Sequence, residues 1–317
     1  MRKRVAIALA AAAALALAGC SGTGATEKNG SGLTTITVGV IPIVSTAPIF
    51  LGKEQGFFKD EGLDVKIQTG GGGAALVPGV VSGAYDFGYS NVMSIMVARD
   101  KGLDLKYVIN GASTSGTPDS QAVIVRKDSP IKEAADLAGK RVGVNNLSNV
   151  NDTTIRTVVA EDGGDESTIK FVEVAFPDAE AAVTNKQVDA SIVNPFLGEA
   201  DADAKGFRVL MYNFSAFDPA LDISGYFTTG DTIKNKADEV KKFTAAMAKS
   251  LKYAQDHPDE VRRIVPTYTK ISTEQLKAMV FPTYRADFNR AAAEKLGAAA
   301  LKYGTVKSKP KLDDLLP

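Results

Sequence analysis

From residue 34 onward the chain alternates β-branched apolar runs with stretches whose apolar residues recur at helical spacing. TTITVGVI (34–41) reads as a buried strand, and PIFLGKEQGFFKDEG (48–62) as a short helix ending near Gly56. LDVKIQ (63–68) is a second strand, followed by a glycine run at 70–73 and a helix over 74–82. Strand YDFGYS (85–90), a helix over 92–100 and strand LKYVIN (105–110) complete the series. This βαβαβαβ order predicts a mostly parallel sheet with helices on its faces.

GASTSGTPD (111–119) interrupts the pattern with small polar residues, and a second α/β series then begins. It runs through QAVIVR (121–126), a helix over 131–137, KRVGV (140–144), a helix over 150–161 and IKFVEV (169–174). A helix over 178–185, DASIVN (189–194), another helix and FRVLMY (207–212) follow. NFSAFDPALD (213–222) is a second interruption, before strand ISGYFTT (223–229). Beyond it the pattern is helical: Val240, Phe243, Met247, Leu251 and Ala254 share one face, an amphipathic spacing. Further helices are expected over 258–266, 273–280 and 291–303. Two α/β series joined by two polar crossings predict two lobes around a cleft. In open parallel sheets ligands bind outside the carboxyl ends of the strands, so the loops there are the ones to inspect.

The first residues break this pattern. Arg2, Lys3 and Arg4 precede an apolar run (5–18) that ends in LAGC (17–20). A basic region, a short apolar core and a small-residue cleavage site make a secretory signal, and the run is shorter than the ~20 apolar residues of a membrane span. Cys20, the chain's only cysteine, stands where a bacterial lipobox places its lipidated residue. Residues 1–20 are therefore expected to be a signal peptide and lipobox, and the Gly/Ser-rich 21–32 a disordered tether. The body would then sit on the extracytoplasmic face of a membrane, anchored through Cys20. Lys+Arg and Asp+Glu each number 37, so losing Arg2, Lys3 and Arg4 moves the formal charge from 0 to −3. Such a body carries no basic footprint for nucleic acid. With its cysteine in the anchor, it relies on apolar burial instead of disulfides.

The strand-end loops are PIVSTAP (42–48), TGGGG (69–73), SN (90–91), NNLSNVN (145–151) and NPF (194–196), and none contains Asp, Glu, Lys, Arg or His. They offer hydroxyls, carboxamides and helix starts. A helix start carries partial positive charge and free N–H groups, so it holds an anion without a counter-charge, or a neutral polar ligand equally well. Ser45, Thr46, Ser148 and Asn149 are also preferred N-cap types. Capping leaves other N–H groups free, so both roles stay open.

Nucleotide and catalytic readings find little. No Lys-Ser or Lys-Thr follows the glycine run, as a P-loop requires. Gly70, Gly72 and Ala75 fit a dinucleotide fingerprint formally, but Asp86 begins a strand where the ribose-binding acid should end one. A flexible turn is the simpler reading. His257, the only histidine, lies in DHPDE between two C-terminal helices, so a Ser-His-Asp triad or a His/Cys metal site lacks its parts. Carboxylate-only catalysis is disfavoured because the cleft loops hold no acid. Neither a metal nor a cofactor is expected.

APIFLGKEQGFFKDEGLDV (47–65), VSGAYDFGYSN (81–91), LAGKRVGVNNLSNVNDTTIR (137–156) and VDASIVNPF (188–196) resemble the extracytoplasmic solute-binding proteins for nitrate, sulfonates, taurine and thiamine-precursor pyrimidines. The likeness runs from about residue 33 to at least Tyr226. It implies a two-lobed type II periplasmic-binding-protein fold: lobe I from 33–112 plus 225–317, lobe II from 121–212, and hinge crossings at 113–120 and 213–224. It also implies a monomer that closes on a small solute and delivers it to an ABC permease with its ATPase. Ligand contacts implied on lobe I are Ser45, Thr46, Gly72, Gly73, Ser90 and Asn91, with Ser148 and Asn149 opposite. Ser113 in the first crossing, Asn194, and Tyr226 on the strand after the second crossing complete the candidate set.

Many members have Glu-Pro-Phe where this chain has Asn194-Pro195-Phe196. Losing that carboxylate favours an anionic or neutral polar ligand (a sulfonate, nitrate, taurine-like or aromatic acid) over a cationic amine or an aminopyrimidine. A pyrimidine-precursor binder is the alternative. The related pyrimidine synthases, which use pyridoxal phosphate with active-site His and Cys, are a more distant one, since those parts are missing here.

Overall fold

The computed structural model describes Gly30 and residues 32–317. The expected signal segment, Cys20 and most of the tether lie outside the described residues. Among the described residues ten strands form two five-stranded sheets. The first contains β1 (Thr34–Val40), β2 (Leu63–Thr69), β3 (Phe87–Asn91), β4 (Leu105–Ser113) and β10 (Asp222–Thr229), in the order β2-β1-β3-β10-β4. The second contains β5 (Ala122–Arg126), β6 (Arg141–Val144), β7 (Lys170–Glu173), β8 (Ala190–Val193) and β9 (Phe207–Met211), in the order β7-β6-β8-β5-β9.

Each sheet is parallel apart from one reversed strand. β10 runs antiparallel to β3 and β4, and β5 antiparallel to β8 and β9. These are the first strands laid down after each crossing between sheets. A chain arriving from the other sheet enters at the edge where the remaining strands end, so the strand it starts there must run backwards.

Strand alternation sets the layers, since successive side chains point to opposite faces. On β5, Val123 and Val125 join one apolar cluster with Ile155 and Val159, while Ala122 and Ile124 join the other with Ala182 and Phe207. Both faces are covered, as parallel sheets require. In the first sheet, one face packs Ile36, Val38, Phe87 and Tyr226 against Phe243, Met247 and Leu251 of the helix Ala237–Asp256. The other face packs Tyr107 and Phe227 under Val77, Met93 and Leu296. Leu251 and its partners confirm the amphipathic face read from the sequence.

Three departures have local causes. The helix expected over 131–137 is only a 3-10 turn, Ala134–Leu137. There the Asp136 carboxylate accepts the N–H groups of Lys132 and Glu133 and holds those residues out of a helix, as short acidic side chains do. The second polar interruption contains a helix, Asn213–Phe217, because Phe214, Phe217 and Leu221 bury in the apolar cluster of the first sheet. Strand β4 runs on to Ser113, which pairs with Asp222 on β10.

Candidate functional site

β2, β1 and β3 are adjacent and parallel, so the loops after them lie side by side. After β1 a 3-10 turn, Val44–Thr46, leads into the helix Ala47–Glu54. After β2 the glycine run leads into the helix Gly73–Val81, and after β3 comes the helix Val92–Asp100. None of these helix starts carries an acidic residue in its first turn. An acid there is the usual complement to the helix dipole, and the helices starting at Val150, Ala179, Glu199, Ala237 and Pro258 all have one. Three uncompensated N-termini therefore meet at one edge of the first sheet.

The first of these loops is held from below by three tyrosines. Tyr268 Oη donates to Ile43 O at 3.1 Å, Tyr284 Oη to Val44 O at 2.9 Å, and Tyr89 Oη to Ser45 O at 3.5 Å. Burial pushes the pKa of all three phenols well above the ordinary value, so they stay neutral donors. In a planar trans peptide the C=O and the next N–H point in opposite directions. Drawing the carbonyls of Ile43 and Val44 inward thus turns the N–H groups of Val44 and Ser45 away from the tyrosines. Among the described residues no backbone acceptor meets either N–H. Thr46 faces inward instead: it is fully buried, and its hydroxyl donates to Ile41 O and Ile43 O, both at 2.8 Å.

Ser90 and Gly73 form the centre of this edge. Ser90 is fully buried and, among the described residues, its Oγ has no hydrogen-bond partner. A Cβ on Gly73 would stand 2.9 Å from Ser90 Cα and 3.0 Å from its Cβ, and closer still to Oγ. The unused hydroxyl is therefore packed against the start of the Gly73–Val81 helix. A Cβ on Gly72 would meet nothing within 4 Å. Asn91 caps its helix by accepting from Ser94 N at 2.8 Å.

The facing edge, on the second sheet, is built differently. Asn149 caps the helix Val150–Glu161, and Asp152 reaches back to accept from Ser148 N at 2.7 Å and Asn149 N at 2.6 Å. Ser148 adopts a left-handed φ of 51° that presents both N–H groups to this carboxylate. The helix start thus already holds a negative charge. Burial raises the Asp152 pKa, and the backbone donors only partly offset it. Asn149 Nδ2 crosses to Ser94 Oγ of the first-sheet side at 3.1 Å, and Leu197 packs against the first-sheet core.

Beside Asp152, six carboxamides run head to tail. Asn145 donates to Asn146 at 3.1 Å, Asn151 to Asn145 at 2.8 Å, and Gln121 to Asn151 at 2.7 Å and Asn213 at 3.0 Å. Asn194 donates to Gln121 at 3.5 Å. Four of the six, Asn145, Asn194, Gln121 and Asn213, border β6, β8, β5 and β9 at their cleft-side ends.

Of the eleven candidate contacts, Ser45, Gly72, Gly73, Ser90 and Asn91 gather at the first edge, and Ser148, Asn149 and Asn194 at the second. Thr46 lies under the first loop. Ser113 sits apart: its hydroxyl donates to Asp222 at 2.8 Å and accepts from Asn110 and Arg285, which leaves it no free capacity. Tyr226 is inside the first core, edge-on to Tyr89, and its buried Oη has no partner among the described residues. Sequence reasoning missed Asp152, though Asn149-x-x-Asp152 has the spacing of a capping box. It also missed the tyrosines, Gln121 and Asn213, whose roles depend on contacts distant in sequence. Among the described residues no cluster of His, Cys, Asp or Glu is arranged to hold a metal ion.

Two mixed sheets, each with one reversed strand after a crossing and with strand-end loops facing those of the other, define the periplasmic-binding-protein fold. The nitrate-binding protein of Synechocystis PCC 6803 has this fold too, with a TM-score of 0.73 at 13% identity over 90% of this chain and 86% of that one. Residues 44–261 match the NMT1/THI5-like family model, and the chain belongs to that family. The formylaminopyrimidine-binding protein of Halalkalibacterium halodurans is 25% identical over 69% of this chain and 65% of its own length. A putative aliphatic sulfonates-binding protein of Bacillus subtilis is 25% identical over 80% of this chain and 68% of its own length.

Proposed function

We propose that this protein is the extracytoplasmic solute-binding component of an ABC importer, anchored through a lipid on Cys20, and that it captures a small monoanion such as a sulfonate or carboxylate. The observation that carries the reading is the meeting of three acid-free helix starts with the unpartnered, buried Ser90 hydroxyl. A buried hydroxyl left unpaired costs roughly 1–3 kcal/mol, and an oxyanion seated there relieves it. The N–H groups of Val44 and Ser45 add donors from the same side. The family match and the sulfonate- and nitrate-binding relatives support a transport role. Residues 33–112 with 225–317 serve as one lobe, 121–212 as the other, and the crossings as hinges. The absence of a His or Cys in the cleft loops supports binding over catalysis.

A pyrimidine-type ligand is the second reading, favoured by the carboxamide edge and by the formylaminopyrimidine-binding relative. Thermal shift with methanesulfonate, nitrate, propionate and an aminopyrimidine separates the two. A ligand at a hundredfold excess over its Kd stabilises by about 2.7 kcal/mol, a readily measured shift. Stabilisation by the aminopyrimidine alone overturns the monoanion reading. Pyridoxal absorbance in the purified protein would overturn the transport reading altogether.

A further inference from the structure

We infer that the ligand's far end, against the second sheet, is uncharged and both donates and accepts hydrogen bonds, as a carboxamide, ureide or hydroxy-amide does. This rests on the monoanion reading above and specifies what lies beyond the anionic head. Two independent features of the second edge carry it.

The first is the head-to-tail carboxamide chain of Gln121, Asn145, Asn146, Asn151, Asn194 and Asn213. Its interior members Gln121, Asn151 and Asn213 are buried, while its outer members Asn145, Asn146 and Asn194 are half-buried. Each carboxamide has donors and an acceptor but no charge. The outer members therefore present both polarities to the cleft. Asn213 closes the chain inward by donating to Thr154 Oγ1 at 2.9 Å.

The second is Asp152. Its carboxylate has taken the Ser148 and Asn149 N–H groups, the donors that would otherwise receive a second anionic group. A ligand carboxylate at this edge meets the buried Asp152 carboxylate, and like charges brought together cost several kcal/mol. The two edges are thus complementary to a molecule with one charged end. Dianions, including diacids of matching length, are rejected.

Isosteric pairs test this directly: succinamate against succinate, and 3-sulfopropanamide against 3-sulfopropanoate, with butanoate and propane-1-sulfonate as tail-less controls, titrated calorimetrically into the full protein. The amide member of each pair should bind on the order of a hundredfold tighter than the diacid and measurably tighter than the control. Asn194→Ala should shrink the advantage of the amide over the control. If the diacid binds as tightly as the amide, or the amide gains nothing over the control, the inference is overturned while the head-group reading stands. If neither control nor amide binds, the head-group reading fails and takes the inference with it.

Discussion

Gly72 and Gly73 are neighbours in sequence, yet the structure assigns them opposite sensitivities. Alanine at Gly73 drives a Cβ to 2.9 Å from Ser90 Cα. Ser90 cannot retreat, because it pairs with Gly225 on β10 and Tyr107 Oη holds the Ser90 carbonyl at 2.9 Å. Overpacking of this kind costs about 2 kcal/mol, which lowers the thermal midpoint by roughly 3 °C in a chain of this size. Gly72 has an extended φ of 171° that any residue adopts, and its added Cβ meets no atom within 4 Å. Gly72→Ala should stay within about 0.5 kcal/mol of wild type. The bulkier Gly72→Val instead stands over the helix start, weakening ligand binding while leaving the free protein's midpoint unchanged. Circular-dichroism melts of the free protein, paired with the thermal shift given by a stabilising anion, measure both effects. A Gly73→Ala variant that melts with wild type, or a Gly72→Val variant that loses stability and binding together, refutes the packing argument.

Three further perturbations have expected outcomes. Asp152 has a raised pKa in the folded state, so its contribution is fully present below the unfolded-state pKa and declines as pH rises through the folded one. Melts of wild type and Asp152→Asn across the acid range should therefore show wild type gaining relative stability toward low pH, and a flat difference contradicts this. The same substitution should strengthen monoanion binding at neutral pH. Tyr284→Phe removes one donor from Val44 O, which keeps the Ala47 N–H. The stability loss should be only about 1 kcal/mol, while amide exchange over residues 43–47 accelerates; unchanged exchange there means the loop holds itself. Arg285→Met strips the guanidinium from Asp222, which is 2% exposed. Ser113, Asn110 and the Asn289 N–H remain, and Arg285 is partly solvated, so about 2 kcal/mol should be lost instead of the larger penalty of a fully buried pair. A denaturant midpoint equal to wild type removes this cluster from the energetics of the crossings.

The sequence exposes what is local or periodic. β-Branched runs located the strands, and the helix Val150–Glu161 was read with its observed bounds, because patterns of two and three-to-four residues need no distant partner. The loops bearing Ser45, Gly72, Ser90 and Asn149 were legible because they follow strands. The direction in which each side chain faces was not. Thr46 looked like a ligand contact and turned inward, since its hydroxyl finds two carbonyls of its own loop. Ser113 looked free and is saturated by Asp222, Asn110 and Arg285, of which Asp222 and Arg285 arrive from more than a hundred residues away. A helix was expected over 131–137 because propensity ignores the competition Asp136 offers the backbone.

The donors that the loop after β1 offers, the Val44 and Ser45 N–H groups, belong to the main chain, and this shapes what mutation can reveal. Replacing Val44 or Ser45 by alanine leaves their N–H groups in place, so a conventional scan of that loop would return almost no signal. The informative changes lie underneath, at Tyr268, Tyr284 and Tyr89, whose hydroxyls hold the loop's carbonyls. Under the proposed function, divergence among paralogues can likewise rewrite every side chain of the loop and keep its donors for an anion. Selectivity then drifts mainly through the carboxamides opposite, where a single codon change converts Asn to Asp and brings a full charge into the cleft.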